Sequence, residues 1–296
     1  MPQAGFVHYL PIATTLVSIA FLAAISARAM PRKWPPHLSW WAVGVFFYGL
    51  GTALESSVTL FGNSPELTRW WYWAGAILGG YPLATGTVYL LMKRTPAHVC
   101  TGLSLAVVIF ASAAVFLSPL NTEALEPHRP SGAVIGWQWV RLLTPLINGY
   151  AALFLIGGAF YSSIKFAFPG LRISEGIGCP TCHYDLSGLH PRGSCPECGT
   201  VYNIDDLTET PKDQLVPAKR KGRRAAGTAL IAFGGILPGV GGGMAKAGIV
   251  EALYIGELTG LLLIWWGYHL CVTDPTPKAR DKTASENESS AQPATA

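Results

Sequence analysis

Long apolar stretches separated by short polar segments run along almost the whole chain. Seven of them are about 20 residues long, the length that a helix rising ~1.5 Å per residue needs to cross ~30 Å of hydrocarbon. The pattern therefore predicts an all-α membrane protein with seven transmembrane helices. The predicted spans are 8–28, 40–61, 71–92, 99–118, 138–165, 226–245 and 252–272.

The composition agrees with this pattern. Of the 296 residues 50% are hydrophobic and only 13% are charged, whereas soluble domains carry about 25% charged residues. The polar tail after the last span has too few apolar residues to fold and is expected to be disordered. We divide the chain into 1–170 with spans one to five, 171–210 with a four-cysteine segment, 211–225 as a basic linker, 226–272 with spans six and seven, and the tail 273–296.

The distribution of positive charge predicts the orientation. Of the 21 lysine and arginine residues, 17 fall in the connections on one side of the bundle, and positive residues are retained on the cytoplasmic side. The N-terminus is therefore expected outside, and the four-cysteine segment and the C-terminus inside. Residues 27–29 have the small-x-small shape of a signal-peptide cleavage site, but no basic residue precedes the apolar run, which favours a retained first helix.

Four cysteines stand in two tight pairs between the fifth and sixth spans. Cys179, Cys182, Cys195 and Cys198 form the pattern C-x2-C-x12-C-x2-C. Two such pairs supply the four thiolates of a closed tetrahedral metal site. The reducing cytoplasm keeps thiols free for a metal and disfavours disulfides. This spacing is a strong metal-binding signal.

The stretch "CPTCHYDLSGLHPRGSCPECG" resembles the short zinc ribbons with rubredoxin-type knuckles that occur in bacterial proteins. The resemblance covers about 25 residues and implies that the four cysteines bind one structural Zn²⁺. Iron is the competing metal, since rubredoxin-like sites use the same four sulfurs for electron transfer. His183 and His190 lie inside the motif and are interpreted as surface residues, because four cysteines already complete a tetrahedron.

A basic cluster lies just before the sixth span, on the predicted cytoplasmic side. It is expected to contact anionic lipid headgroups, in preference to nucleic acid. Its members are Lys219, Arg220, Lys221, Arg223 and Arg224.

Two glutamates lie inside predicted spans at a similar depth in the outer part of the membrane. Glu55 and Glu257 are functional candidates because ionisable groups in hydrocarbon are costly. They could pair with arginines and fix helix register, line an outer polar pocket for a small ligand or cation, or belong to a proton or ion path. The residues of this predicted outer pocket are His8, Glu55, Arg69, Arg141, Asn148 and Glu257.

Glycines spaced four apart predict close helix contacts. Such pairs let helix backbones approach one another. We expect packing within the chain more than homodimerisation, and the sequence leaves the oligomeric state open. The pairs are Gly75/Gly79, Gly235/Gly239, Gly239/Gly243 and Gly256/Gly260.

The apolar part, with "FYGLGTALES" and "LYIGELTGLLLIWWGY", is similar to bacterial seven-helix membrane proteins. That similarity implies an inner-membrane architecture and no activity. We expect a sensor or interaction platform in which the ribbon meets a cytoplasmic protein partner. The alternatives are a transporter of small solutes or ions, or an electron-transfer protein if the ribbon binds iron. The sequence has no nucleophile elbow, phosphate loop or H-E-x-x-H motif, so it predicts no ordinary hydrolase or kinase.

Overall fold

A computed structural model describes the chain over 5–127, 129–168, 170–174, 177–187, 189–195, 198–211, 215–217 and 221–273. Within these residues seven helical segments are long and apolar enough to cross a membrane, which confirms the prediction of seven such helices. The predicted tail from 274 onward lies outside the described residues. The seven segments are Phe6–Arg32, Pro36–Phe61, Pro65–Leu91, Arg94–Leu117, Gln138–Ala167, Gly222–Ala245 and Val250–Val272.

The described residues contain ten α-helices, of which nine lie in these segments and the short α8 lies outside them. The third and fifth segments each contain a π-helical stretch, Tyr72–Ile77 and Ala152–Gly157. The α-helices are α1 Leu10–Ala29, α2 Pro36–Phe61, α3 Pro65–Trp71, α4 Tyr81–Leu91, α5 Arg94–Leu117, α6 Gln138–Ala151, α7 Gly158–Ala167, α8 Ile204–Leu207, α9 Gly222–Lys246 and α10 Val250–Val272.

Proline marks where several of these helices begin. Pro11, Pro36, Pro65 and Pro82 occupy the first turn of α1, α2, α3 and α4. A proline fits there because the first-turn N–H groups have no intrahelical partner and the ring fixes a helical φ. Ser64 adds a side-chain cap to α3 by accepting the Leu67 N–H at 3.2 Å. The local sequence therefore determines where these helices begin.

The helices form one bundle in which sequence neighbours pack together. Helix α1 lies against α2 and α10, α10 lies against α9, and α9 lies against α7. One buried cluster centres on Phe21, Val45 and Leu261, where α1, α2 and α10 meet. A second cluster joins the third segment to α5 and α6 around Tyr81 and Val115. Large apolar side chains cover the outside of the bundle, as expected of a surface that faces lipid.

Glycines let α9 and α10 approach closely. A Cβ added at Gly234 would lie 2.6 Å from the carbonyl oxygen of Gly260, and one added at Gly227 would lie 2.6 Å from that of Gly267. Any side chain at these positions would push the two helices apart. The pair consequently behaves as one packed unit, and small residues at a helix interface are the expected means of achieving this in a membrane.

The stretch between α7 and α9 contains the four short strands of the described residues. β1 (Leu171–Ile173) pairs antiparallel with β4 (Leu215–Pro217), with Ile173 opposite Leu215. β2 (Arg192–Ser194) pairs antiparallel with β3 (Val201–Asn203). We name 171–217 the cysteine module and its first strand pair the neck, because β1 and β4 begin and end the module.

The cysteine module has a small core of its own. Six residues are buried in it, among them Cys179 and Cys195. On its surface the Arg192 guanidinium contacts the Asp205 carboxylate at 2.9 Å, and this hydrogen bond lowers the pKa of that carboxyl. The other buried members are Ile173, Leu186, Tyr202 and Ile204.

Candidate metal centre and buried carboxyl pair

The two cysteine pairs are held by the same backbone turn. In the first, the N–H of His183 donates to the carbonyl of Cys179 at 3.0 Å, and the N–H of Cys179 donates to that of Tyr184 at 2.8 Å. In the second, Gly199 donates to Cys195 at 2.9 Å, and Cys195 donates to Thr200 at 2.8 Å. The spacing of donors and acceptors is identical, so the module contains two equivalent knuckles.

Each knuckle needs one residue in the left-handed region of backbone space. Gly199 has φ 75° and His183, at the equivalent position, has φ 59°. Glycine adopts this conformation without a steric cost, whereas histidine does so at some cost. The left-handed turn thus explains why a glycine stands at position 199. His183 occupies the equivalent backbone position in the first knuckle.

The four cysteine sulfurs converge on one point. Cys179 Sγ lies 3.6 Å from Cys198 Sγ, and Cys182 Sγ lies 3.6 Å from Cys195 Sγ. All four lie within 4.8 Å of one another. A tetrahedral ion with metal–sulfur bonds of ~2.3 Å requires sulfurs about 3.8 Å apart. The predicted ligand set therefore fits a metal ion.

The ionisation of the thiols also fits a cation. Hydrogen bonding to the Thr200 hydroxyl and backbone lowers the pKa of the Cys198 thiol to about 6. At Cys182 a backbone hydrogen bond from Tyr184 acts to lower the pKa, but burial and the three neighbouring sulfurs outweigh it and raise the pKa to about 12. Four crowded sulfurs cannot all ionise alone, and a bound cation removes that penalty because metals bind thiolates.

The arrangement leaves little room for catalysis at this centre. Four sulfurs complete a tetrahedron, and a catalytic ion needs an open position. His183 and His190 are exposed and do not belong to the ligand group. The centre can hold a metal ion that ties the two knuckles, and hence β2 and β3, into one unit.

A second group of polar side chains lies on one face of α2. Its members are spaced by four, three and four residues, which keeps them on one side of a helix. Each contacts α1, α10 or the turn before α1. Tyr48 donates to the carbonyl of Glu257 at 2.9 Å, Thr52 bonds Thr15 at 2.9 Å, Glu55 meets Glu257, and Thr59 donates to the carbonyl of His8 at 2.9 Å.

Glu55 is 2% exposed, and its carboxylate accepts a hydrogen bond from Trp71 Nε1 at 2.7 Å. Two glycines explain how Trp71 reaches it. A Cβ on Gly51 would lie 3.1 Å from the Cα of Gly75, so α2 and the π-helical stretch touch there. Glu55 and Trp71 lie one turn from this contact along their own helices, and the close approach brings the indole to the carboxylate.

Glu257 comes to the same place from α10. Its side chain and that of Glu55 lie within hydrogen-bonding distance of each other. The Oε2 atom of each is buried, and no donor among the described residues reaches either one. Two carboxyl groups from different helices therefore meet, Glu55 as a buried side chain and Glu257 as a partly exposed one; we call them the carboxyl pair.

The connection 118–137 covers the bundle where α2 ends and α10 begins. Asn63 Nδ2 donates to the carbonyls of Glu126 at 2.7 Å and Arg129 at 3.0 Å. Arg129 Nη1 donates to the carbonyl of Ala245, at the end of α9, at 3.0 Å. We call this end of the bundle the distal end. A cleft of about 300 Å³ opens there, lined by His8, Glu126, Pro127, Arg129, Gly248 and Val250.

Tyr254 lies between this cleft and the carboxyl pair. Its ring meets the His8 ring edge to face, with centroids 5.8 Å apart. Its hydroxyl is within electrostatic reach of both carboxyl groups and of Arg129. Tyr254 thus contacts His8 of the cleft and lies near the carboxyl pair.

The structure gathers only part of the predicted outer pocket. Glu55 and Glu257 meet, and His8 reaches them through Tyr254. Arg69 instead pairs with Glu66 at 3.4 Å and donates to the carbonyl of Ser118 at 3.0 Å. Arg141 and Asn148 lie on the exposed face of α6. Among the described residues no ion pair joins either glutamate to an arginine.

Only part of the basic cluster can be located. Lys219 and Arg220 lie outside the described residues. Lys221 and Arg223 are exposed at the start of α9, where Arg223 Nη2 donates to Thr273 at 3.1 Å, and Arg224 is half-buried. The chain ends of α7 and α9 also meet here, since the Lys221 N–H donates to the carbonyl of Phe166 at 3.3 Å.

Sequence reasoning missed Tyr48, Tyr254 and the hydrogen bond of Trp71 to Glu55. Tyr48 had a readable signal, because it shares the helical spacing of Thr52, Glu55 and Thr59 on α2. Trp71 and Tyr254 gave no such signal. Interfacial tryptophans and tyrosines are common in membrane proteins, and their contacts depend on how the helices pack.

These features define the class of the protein: a helical chain with seven membrane-spanning candidates and a four-cysteine centre able to bind a metal ion. Comparisons with known protein families, with curated proteins and with solved structures find no match to this chain.

Proposed function

We propose that this protein is a bacterial inner-membrane sensor or interaction platform that presents a zinc-stabilised ribbon to a cytoplasmic partner. The observation that carries the proposal is the cysteine module itself. The strands of its neck lie in the chain between the fifth and sixth spanning segments, and its two knuckles converge on one metal position. A small rigid module on a neck suits the docking of a protein.

Zinc is the metal that best fits this role. Four thiolates in a closed tetrahedron are typical of structural zinc, which supplies folding free energy and takes no part in catalysis. The cytoplasm would keep the cysteines reduced. Iron in the same position would make the module an electron carrier.

The cytoplasmic position of the module rests on charge. With 17 of 21 lysine and arginine residues on its side of the bundle, the positive-inside tendency favours that orientation. A fluorescent protein that folds only in the cytoplasm is expected to be bright when fused after residue 296. An alkaline phosphatase fused after residue 125 is expected to be active, because that position would lie outside. The reverse pattern would refute the orientation.

The sensing part of the proposal rests on a mechanical connection. Helix α10 carries Glu257 at the distal end and packs through glycines on α9, which begins shortly after β4 of the neck. Ser163 Oγ of α7 donates to the carbonyl of Ala225 of α9 at 2.9 Å, so both helices that lead to the module are joined. A change at the carboxyl pair can shift α10 and α9 together and move the neck.

Hydrogen exchange tests this coupling. Glu257→Gln is expected to change the exchange rate of neck amides, such as those of Ile173 and Leu215, by at least about fivefold, the lower end of typical coupling energies. Glu251→Gln is the matched control, because Glu251 is exposed on the same helix. Equal exchange rates of the neck amides in the two variants would refute the sensing role. The protein would then be an interaction platform whose module is not coupled to the carboxyl pair.

A further inference from the structure

The two carboxyl groups of the carboxyl pair lie close together, and the proposed zinc module does not explain how their negative charge is compensated. Glu55 and Glu257 lie within hydrogen-bonding distance, and the Oε2 atom of each is buried without a donor among the described residues. Two ionised carboxylates in such a place would repel each other, and ionised carboxylates carry no hydrogen to share. A proton or a metal cation between them removes both difficulties.

The surrounding groups favour a proton over a metal cation. Trp71 Nε1 donates to Oε1 of Glu55, which leaves only the Oε2 atom of each glutamate buried without a donor among the described residues. Among the described residues no third His, Cys, Asp or Glu side chain lies close enough to complete a metal site with the two glutamates. Two carboxylates alone fall short of the six to eight oxygens that calcium takes or the octahedral shell of magnesium.

The same contacts say which carboxyl group holds the proton. The Trp71 N–H stabilises negative charge on Glu55, because a hydrogen bond to the charged form favours that form. The Tyr48 hydroxyl donates to the backbone carbonyl of Glu257 at 2.9 Å and not to its carboxyl group, and no donor among the described residues reaches the buried Oε2 atom of Glu257. Glu257 is therefore the member better suited to donate.

We propose that Glu55 and Glu257 form a proton-binding site in which Glu257 carries the proton, and that this site exchanges protons with the distal cleft past Tyr254. The proposal makes the proton the ligand of the distal end of the proposed sensor. It rests on the proposed function only for the physiological role of proton binding. The step is proton transfer alone. The titratable and charged groups around the pair are Tyr48 of α2, Tyr254 of α10, His8 before α1, and Glu126 and Arg129 of the covering connection.

Infrared spectroscopy of the full-length, detergent-purified protein tests the site directly. A protonated carboxylic acid has a carbonyl stretch that an ionised carboxylate lacks. We expect this band in the wild type at neutral pH, its loss in Glu257→Gln, and its persistence in Glu251→Gln, the exposed control on the same helix. Glu257→Asp keeps an acid in place and is expected to keep a band, which guards against misfolding as the cause of loss.

Two further variants test the assigned roles. Trp71→Phe removes the donor to Glu55, so the pair should bind its protons more tightly and the titration midpoint should rise by about one to two pH units, the worth of a hydrogen bond to a charged group. Tyr254→Phe should slow hydrogen–deuterium exchange of the band without removing it, because Tyr254 lies on the route and holds no proton of the pair.

Three results would overturn the proposal: no acid band in the wild type, a band unaffected by Glu257→Gln, or a band that disappears on addition of sodium or calcium ions, which would make the pair a cation site. None of these depends on the cysteine module. Repeating the measurement in Cys195→Ser separates the two proposals, since the band should survive there even though the zinc centre is lost.

Discussion

Replacing Cys195 with serine is expected to remove the metal from the protein and to unfold the cysteine module. Wild-type protein should contain one zinc per chain and the variant almost none. Structural zinc contributes roughly 10–16 kcal/mol in zinc-finger peptides, and the described part of the module has a core of only six buried residues. Metal analysis by mass spectrometry and limited proteolysis of 171–217 are the measurements.

Cys100→Ser provides the control for this variant. Cys100 is a free cysteine on α5 and is outside the metal-ligand group, so its loss should change neither metal content nor proteolysis. The helical far-ultraviolet signal should remain in both variants, because the bundle packs without the module. Iron in place of zinc would turn the module into a candidate electron carrier, and full metal content in Cys195→Ser would refute the four-cysteine centre.

Features that depend on local sequence could be predicted. Spanning helices follow from the length of apolar runs, and the metal centre follows from cysteine spacing, because a knuckle is built within six residues. The knuckle turn also needs a residue with a left-handed backbone conformation, and the glycine at position 199 indicates such a residue. His183 fills the equivalent position and gives no comparable signal.

Features that depend on helix rotation could not be predicted. Most faces of these helices are apolar, so hydropathy alone does not say which face is buried. Glu55 and Arg69 share a predicted depth, yet Arg69 turns toward Ser118 and Glu66. Glu55 instead meets Trp71, because glycines at 51 and 75 bring α2 and the π-helical stretch into contact. The sequence therefore predicts how deep in the membrane a residue lies, but it does not predict the direction in which the side chain points around the helix axis.

The glycine pairs illustrate the same limit. Gly256 and Gly260 contact the backbone of α9, as their spacing predicted. A Cβ at Gly239 or Gly243 would meet nothing within 4 Å, so those two face away from neighbouring helices although their spacing is the same. Spacing identifies a narrow helix face, and only packing says whether that face is used.

Gly234→Leu is expected to be strongly destabilising. A Cβ at Gly234 would lie 2.6 Å from the carbonyl oxygen of Gly260 and 3.0 Å from the backbone nitrogen of Ile264. Backbone atoms cannot swing aside as a flexible side chain can, so α9 and α10 must separate along their shared face. We expect a loss of about 3 kcal/mol in the free energy of unfolding, the upper end of overpacking costs, measured by denaturant titration in mixed micelles.

Gly239→Leu is the matched control five residues along α9. Gly239 is exposed and has open space around its Cα, and leucine is the better helix former by about 0.8 kcal/mol, so this variant should be neutral or slightly more stable. Equal losses in the two variants would mean that glycine serves the helix itself and not the α9–α10 contact. A loss confined to Gly234→Leu would identify that contact as the rigid link between the carboxyl pair and the neck, and the same variant should then abolish the effect of Glu257→Gln on neck exchange.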